Sequence, residues 1–108
     1  MIIAEVASAH RGNKEKLVQI IESFQEIESI DFFKFQIYKA EDLGKKGTVT
    51  YEVFDSLEFD IETWKNCLKN IKKAYIAEVF DKSHISLCEK HLNCAGYKIH
   101  TTNIDELD

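Results

Sequence analysis

The 108-residue chain has the length of one small domain, and its 14 Lys and Arg against 19 Asp and Glu leave a formal charge of −5. That balance argues against a nucleic-acid binder, which needs a basic surface against phosphate, while leaving room for a locally positive pocket. An apolar fraction of 44%, an aromatic fraction of 11%, no proline and only four glycines exclude a disordered chain and disfavour a turn-rich β-sandwich.

Residues 2–7 are a short apolar run of strand length, interrupted by Glu5. Gly12-Asn13 then punctuates, with Asn13 placed to cap a helix. Leu17, Val18, Ile20, Ile21, Phe24 and Ile27 recur at helical spacing and predict an amphipathic helix over 14–28. The aromatic stretch 31–38 predicts a second strand. A polar loop follows from Lys39, and 51–57 reads as a short helix or a turn. Asp60 can cap a helix carrying Ile61, Trp64, Leu68 and Ile71, with Trp64 in the core. Residues 74–80 form a third strand, Asp81 or Ser83 starts a helix reaching Leu92, and 97–100 form a fourth strand. The order β-α-β-α-β-α-β, without a linker or internal break, predicts an α/β fold with a parallel sheet and one domain over 1–108.

Nothing in the chain reaches the roughly 18 apolar residues of a membrane span, and its start lacks the basic and apolar regions of a secretory signal. Cys67, Cys88 and Cys94 are an odd set without framework spacing, which predicts free thiols and a cytoplasmic location. There is no Cys-x-x-Cys for dithiol exchange of the thioredoxin type and no glycine-rich nucleotide turn. A phosphorylation receiver would need paired acids after strand one, where Ser8-Ala9-His10 supplies none. His84, Cys88, His91 and Cys94 lie within eleven residues, a spacing to weigh as structural zinc. The plainer reading makes Cys88 a core residue and the two histidines surface positions. Lys65, Lys69, Lys72 and Lys73 read as a solvated helix face.

Parallel strands are normally covered on both faces and nearly free of charge. Here each strand breaks that rule: Glu5 on the first, Lys34 and Gln36 on the second, Glu78 on the third, Lys98 and His100 on the fourth. Side chains alternate along a strand, so Lys34 and Gln36 share a face, as do Lys98 and His100, while Phe33, Phe35, Ile37 and Ile99 suit the helices. Two acids, two lysines, a glutamine and a histidine on one face need partners, water or an anionic ligand. The bland alternative is that acids and lysines pair and merely hold the sheet. Four strands sharing the habit favours a site.

Three segments carry a resemblance. Ile2-Ile-Ala-Glu5-Val-Ala-Ser-Ala-His10-Arg-Gly12, Phe33-Lys34-Phe35-Gln36 with Lys39-Ala-Glu-Asp-Leu43, and Tyr97-Lys-Ile-His-Thr-Thr102 are similar to the N-terminal part of the N-acetylneuraminate (sialic acid) synthase family. The likeness covers essentially the whole chain. It implies the N-terminal half of a (β/α)8 TIM barrel, since a complete barrel takes about 250 residues and eight strands. It also implies condensation of phosphoenolpyruvate with an N-acyl hexosamine aldehyde, giving a nonulosonic acid and phosphate.

Carried over position by position, Lys34 and Lys98 would hold the phosphate and carboxylate of phosphoenolpyruvate, and Thr101 would add a hydroxyl to the phosphate. Glu5 and Gln36 would face the sugar. The candidate catalytic residues are thus Glu5, Gln36 and Glu78, and the candidate substrate-binding residues are Lys34, Lys98, Thr101 and His10. The family implies a divalent metal, manganese or magnesium, with ligands on later strands and none in this chain. Ala9 stands where relatives often carry Asn before the opening His, Asn103 where many carry an acid, and Glu78 where the best-known synthases carry a phosphate-binding Thr. These departures point to a divergent branch. The expected partners are small-molecule substrates, not nucleic acid or membrane. The alternative is a non-catalytic half-barrel, a binding or structural module that could assemble with a second copy through its open edges.

Overall fold

The computed structural model describes residues 1–100. The chain runs through β1 (Ile3–Glu5), α1 (Lys14–Gln25), β2 (Phe32–Gln36), a 3-10 turn (Ala40–Asp42), α2 (Val49–Leu57), α3 (Ile61–Leu68), β3 (Ala74–Val79), α4 (Lys82–His91) and β4 (Gly96–Ile99). Each helix begins on a side chain suited to cap it. Asn13 Oδ1 accepts from the Lys16 N–H at 2.9 Å and Asp60 Oδ1 from the Thr63 N–H at 2.7 Å. Thr48 Oγ1 accepts from the Tyr51 N–H, and Asp81 takes the Ser83 N–H.

The four strands lie side by side in chain order, all parallel. That is the expected α/β architecture, with one addition. The stretch between β2 and β3 holds two helices and a 3-10 turn, with 49–57 settled as α2. Helix α1 ends three residues earlier than the apolar spacing predicts. The Ile27 N–H donates to the Phe24 carbonyl at 3.1 Å, tightening the chain toward β2 and leaving Phe24 and Ile27 exposed.

One face of the sheet holds the core. Phe33, Phe35, Tyr75, Ala77 and Val79 point to it and meet Leu17 and Ile21 of α1, Trp64 and Leu68 of α3, and Cys88 of α4. Phe33 and Phe35 stack at 5.6 Å, and Phe35 also lies 5.6 Å from the Trp64 ring. The other face takes the alternate residues, which are polar at the carboxyl ends of the strands. Gly12 adopts φ +73°, and a Cβ there would overlap the Ser56 carbonyl oxygen of α2. The loop after β1 therefore seats α2, a helix that buries none of its own residues.

Phe35 is fully buried between the sheet and α3. Phe35→Ala is expected to destabilise the fold by about 3–5 kcal/mol, measured by urea unfolding followed through Trp64 fluorescence.

Candidate functional site

Strand register builds the polar row. Glu5 is level with Lys34 on β1 and β2, Gln36 with Glu78 on β2 and β3, and Glu78 with Lys98 on β3 and β4. Since all five residues occupy alternate positions of their strands, they project from the face opposite the core. Lys34 Nζ lies 3.0 Å from Glu5 Oε2 and 3.9 Å from Glu78 Oε2. Lys98 Nζ lies 2.5 Å from Glu78 Oε1, and Gln36 Nε2 donates to Glu78 Oε2 at 3.3 Å. Five of the expected residues are thus brought into one connected network.

Burial is uneven along it. The Glu78 side chain is 2% exposed and Lys34 13%, while Glu5 and Lys98 are 46% and 49% exposed. A carboxylate so enclosed is costly unless its charge is met. Burial alone pushes Glu78 up, but hydrogen bonds from Lys98 and Gln36, with the charges of Lys34 and Lys98, outweigh it. Together they hold the carboxyl below its ordinary value. The same Glu78 bond holds the Lys98 ammonium above its usual range. Two ammoniums and two carboxylates leave the row neutral, so an incoming anion must compete with Glu78 for both lysines.

His10 does not join the row. It is buried against α3, its ring 4.5 Å from Phe59 and 6.0 Å from Trp64, and its Nδ1 accepts the Gly12 N–H at 3.0 Å. Burial in that aromatic setting lowers its pKa and favours the neutral ring. The structure thus places His10, expected to face substrate, beside Phe59 and Trp64, in a loop whose Ala7 and Arg11 take positive φ. Thr101 and Asn103 lie outside the described residues.

His84 also departs from expectation. It is 5% exposed, with Nδ1 3.4 Å from Asp42 Oδ2, and is no surface position. Among the described residues no three His, Cys, Asp or Glu side chains converge to hold a metal, which removes the zinc reading of His84, Cys88, His91 and Cys94. The residues of the polar row do not fit a divalent cation either, because their buried carboxylate is already taken by two ammoniums. Periodicity gave no sign of Tyr38, whose buried hydroxyl has no hydrogen-bond partner among the described residues. Burial and then Glu58 push that phenol up to about 12. Its sequence signal was only its place just past the end of β2.

A depressed folded-state pKa stabilises the protein above the unfolded value and ceases to do so as pH falls through the folded one. Glu78, lowered from 4.5, therefore contributes at neutral pH, and its contribution is lost on acidification below about pH 4.5. Glu78→Gln is expected to lack that component. Denaturation midpoints measured between about pH 6 and pH 3 should fall less steeply for the variant than for the wild-type chain.

No protein-family model and no curated protein matches the sequence. Among solved structures, the chain is similar to the N-acetylneuraminic acid (sialic acid) synthetase from Leptospira borgpetersenii serovar Hardjo-bovis, crystallised in complex with citrate. The TM-score is 0.85 at 18% sequence identity. The match covers 98% of this chain and 38% of that one, so the chain spans well under half the length of that synthetase. A likeness at this identity is one of fold. Its four consecutive parallel strands and interleaved helices have the α/β fold of half of a barrel-like sialic acid synthase domain.

Proposed function

We propose that Glu5, Lys34, Gln36, Glu78 and Lys98 form this chain's share of a pocket for phosphoenolpyruvate and an amino-sugar aldehyde, in a synthase-like protein that joins the two. One observation carries the reading. Lys34 and Lys98 stand on strands that are not neighbours, yet both direct their ammoniums to the Glu78 carboxylate, at 3.9 Å and 2.5 Å. An anionic group arriving there meets two cations held in place by the sheet. The shared fold with a sialic acid synthetase and the sequence likeness around the same strands support it.

In this reading the phosphate or carboxylate of phosphoenolpyruvate displaces Glu78 as the partner of the two lysines, which act as point charges. Gln36 supplies an amide and Glu5 a half-exposed carboxylate toward the sugar hydroxyls. The reaction forms a carbon–carbon bond from the enol carbon to the aldehyde carbon, water enters, and phosphate leaves. The lysines favour it by holding negative charge as it moves toward the leaving group. A divalent metal, manganese or magnesium, belongs to this reading only through residues other than those described. Further strands, from the same protein or a second copy, would complete the walls along β1 and β4.

A second reading has an observation of its own: both lysines are already paired within the row. On that reading the network serves to hold the sheet face and binds no ligand.

Calorimetric titration of phosphoenolpyruvate into the protein separates the two. On the binding reading Lys98→Met weakens affinity by about ten- to a hundredfold, as expected for loss of a charged hydrogen bond of about 1.5–3 kcal/mol. Glu78→Gln tightens it, because Lys98 loses its carboxylate partner and Lys34 keeps only Glu5. Absence of binding in the wild-type chain, or affinity unchanged by Lys98→Met, leaves the internal-pairing reading standing. Phosphate release from phosphoenolpyruvate with manganese and an N-acyl hexosamine tests turnover separately.

A further inference from the structure

The polar row stands at the carboxyl ends of the strands. At their amino ends a second set of charges gathers, all of one sign. An open cavity of about 800 Å³ lies where the ends of α3 and α4 meet the starts of β3 and β4. Its back wall is anchored on β3: the Asn93 N–H donates to the Tyr75 hydroxyl at 2.8 Å, and the Ala95 N–H to the Tyr75 carbonyl at 2.8 Å. The turn from α4 to β4 is thereby fixed against the strand, so the hollow is built into the fold. Ile71 and Leu92, both half-buried, give it an apolar floor. Lys65, Lys69, Lys72, Lys73 and Lys90 stand on its walls, and among the described residues no Asp or Glu does. Five of the 14 Lys and Arg residues of a chain with formal charge −5 thus surround one hollow.

Part of this charge is met within the protein. Lys72 Nζ lies 4.0 Å from Glu26 Oε1, and Lys73 Nζ donates to the Ile30 carbonyl at 2.8 Å. Two helices also end here, each bringing about half a negative charge in its free carbonyls. Cations are expected at such ends, but Lys72 and Lys73 lie past α3, in the connection to β3. Glu26 and the two helix ends cancel about two of the five ammoniums. Lys65, Lys69 and Lys90 have no carboxylate within 4.0 Å among the described residues. Like charges set around one hollow repel, and a bound anion relieves that cost.

Shape and chemistry select the anion. A hollow of this volume suits a small organic molecule, whereas a nucleic acid calls for an extended basic track. Lysine ammoniums meet phosphate oxygens as point charges. Lys65 and Lys69, four residues apart, share one side of α3 and its cap, and Lys90 faces the hollow from α4. Three cations from two elements match more than one phosphate. We propose that this cavity binds an organic polyphosphate of nucleoside di- or triphosphate size. Its phosphates lie among Lys65, Lys69 and Lys90, and its ring lies over Ile71 and Leu92. Neither lysine of the polar row is on these walls, so the proposal stands independently of what that row binds.

Calorimetric titration of the 108-residue chain with ATP, tripolyphosphate and AMP at low salt tests it. ATP should bind at one site per chain. Tripolyphosphate, which has no ring for the floor, and AMP, which has a single phosphate, should both bind more weakly. Lys69 and Lys90 are exposed, so a variant carrying Lys69→Gln and Lys90→Gln together should keep its fold by circular dichroism. It should bind ATP about tenfold more weakly, while Lys98→Met binds it as the wild-type chain does. The proposal is overturned if ATP does not bind at millimolar concentration, or if the double variant keeps wild-type affinity. Loss of ATP binding in Lys98→Met overturns it too, by moving the site to the polar row. Tripolyphosphate binding as tightly as ATP would show an adventitious ion only. Tighter binding of single-stranded oligonucleotides with increasing length would make the surface a nucleic-acid track, and either result sinks the proposal.

Discussion

A carboxylate with almost no exposed surface survives as an anion only where cations reach it, and Glu78 is reached from both sides of its strand. Lys34 and Gln36 approach from β2 and Lys98 from β4, so one charge on β3 ties three strands together. The row's neutrality follows from this, as does its acid sensitivity. So does the competition any anion faces there. A buried ion pair is weak support for net stability but costly to break on one side only. The network therefore fixes how the strands lie more than it strengthens their union.

The alternation on β2 is the constraint behind that arrangement. Phe33 and Phe35 are fully buried under the helices, and Lys34 and Gln36 stand between and beyond them on the other face. With a side-chain period of two, a slip of one residue would put ammonium among Trp64, Leu17 and Ile21 and phenyl rings in the open. Register is thus enforced from both faces at once, by apolar burial on one and by ion pairing on the other.

Much of this was legible before any coordinates. The order of elements follows from local patterns of period 2 and 3.6, the caps at Asn13 and Asp60 from residue type, and the shared faces of Lys34 with Gln36 and of Glu78 with Lys98 from strand alternation in a parallel sheet. What escaped the sequence depended on loops. His10 lies in a segment whose positive φ angles at Ala7 and Arg11 no side-chain pattern announces, and the turn delivers it to an aromatic cage. His84 looked like a surface residue because its helix is weakly amphipathic. The 3-10 turn brings Asp42 within 3.4 Å of its Nδ1, a neighbour that comes from a different segment of the chain.

Strand lengths within the sheet bear on how it meets other chains. The inner strands run five and six residues, whereas β1 has three and β4 has four. Unpaired backbone groups at a sheet margin are templates for indiscriminate association, and their reach scales with length. Margins this short give a passing strand few bonds to collect, despite the exposed Ile2 and Ile3 beside one of them. Stable joining there requires a partner that also packs side chains against the sheet, so the brevity of its edges makes this protein selective about what may extend it.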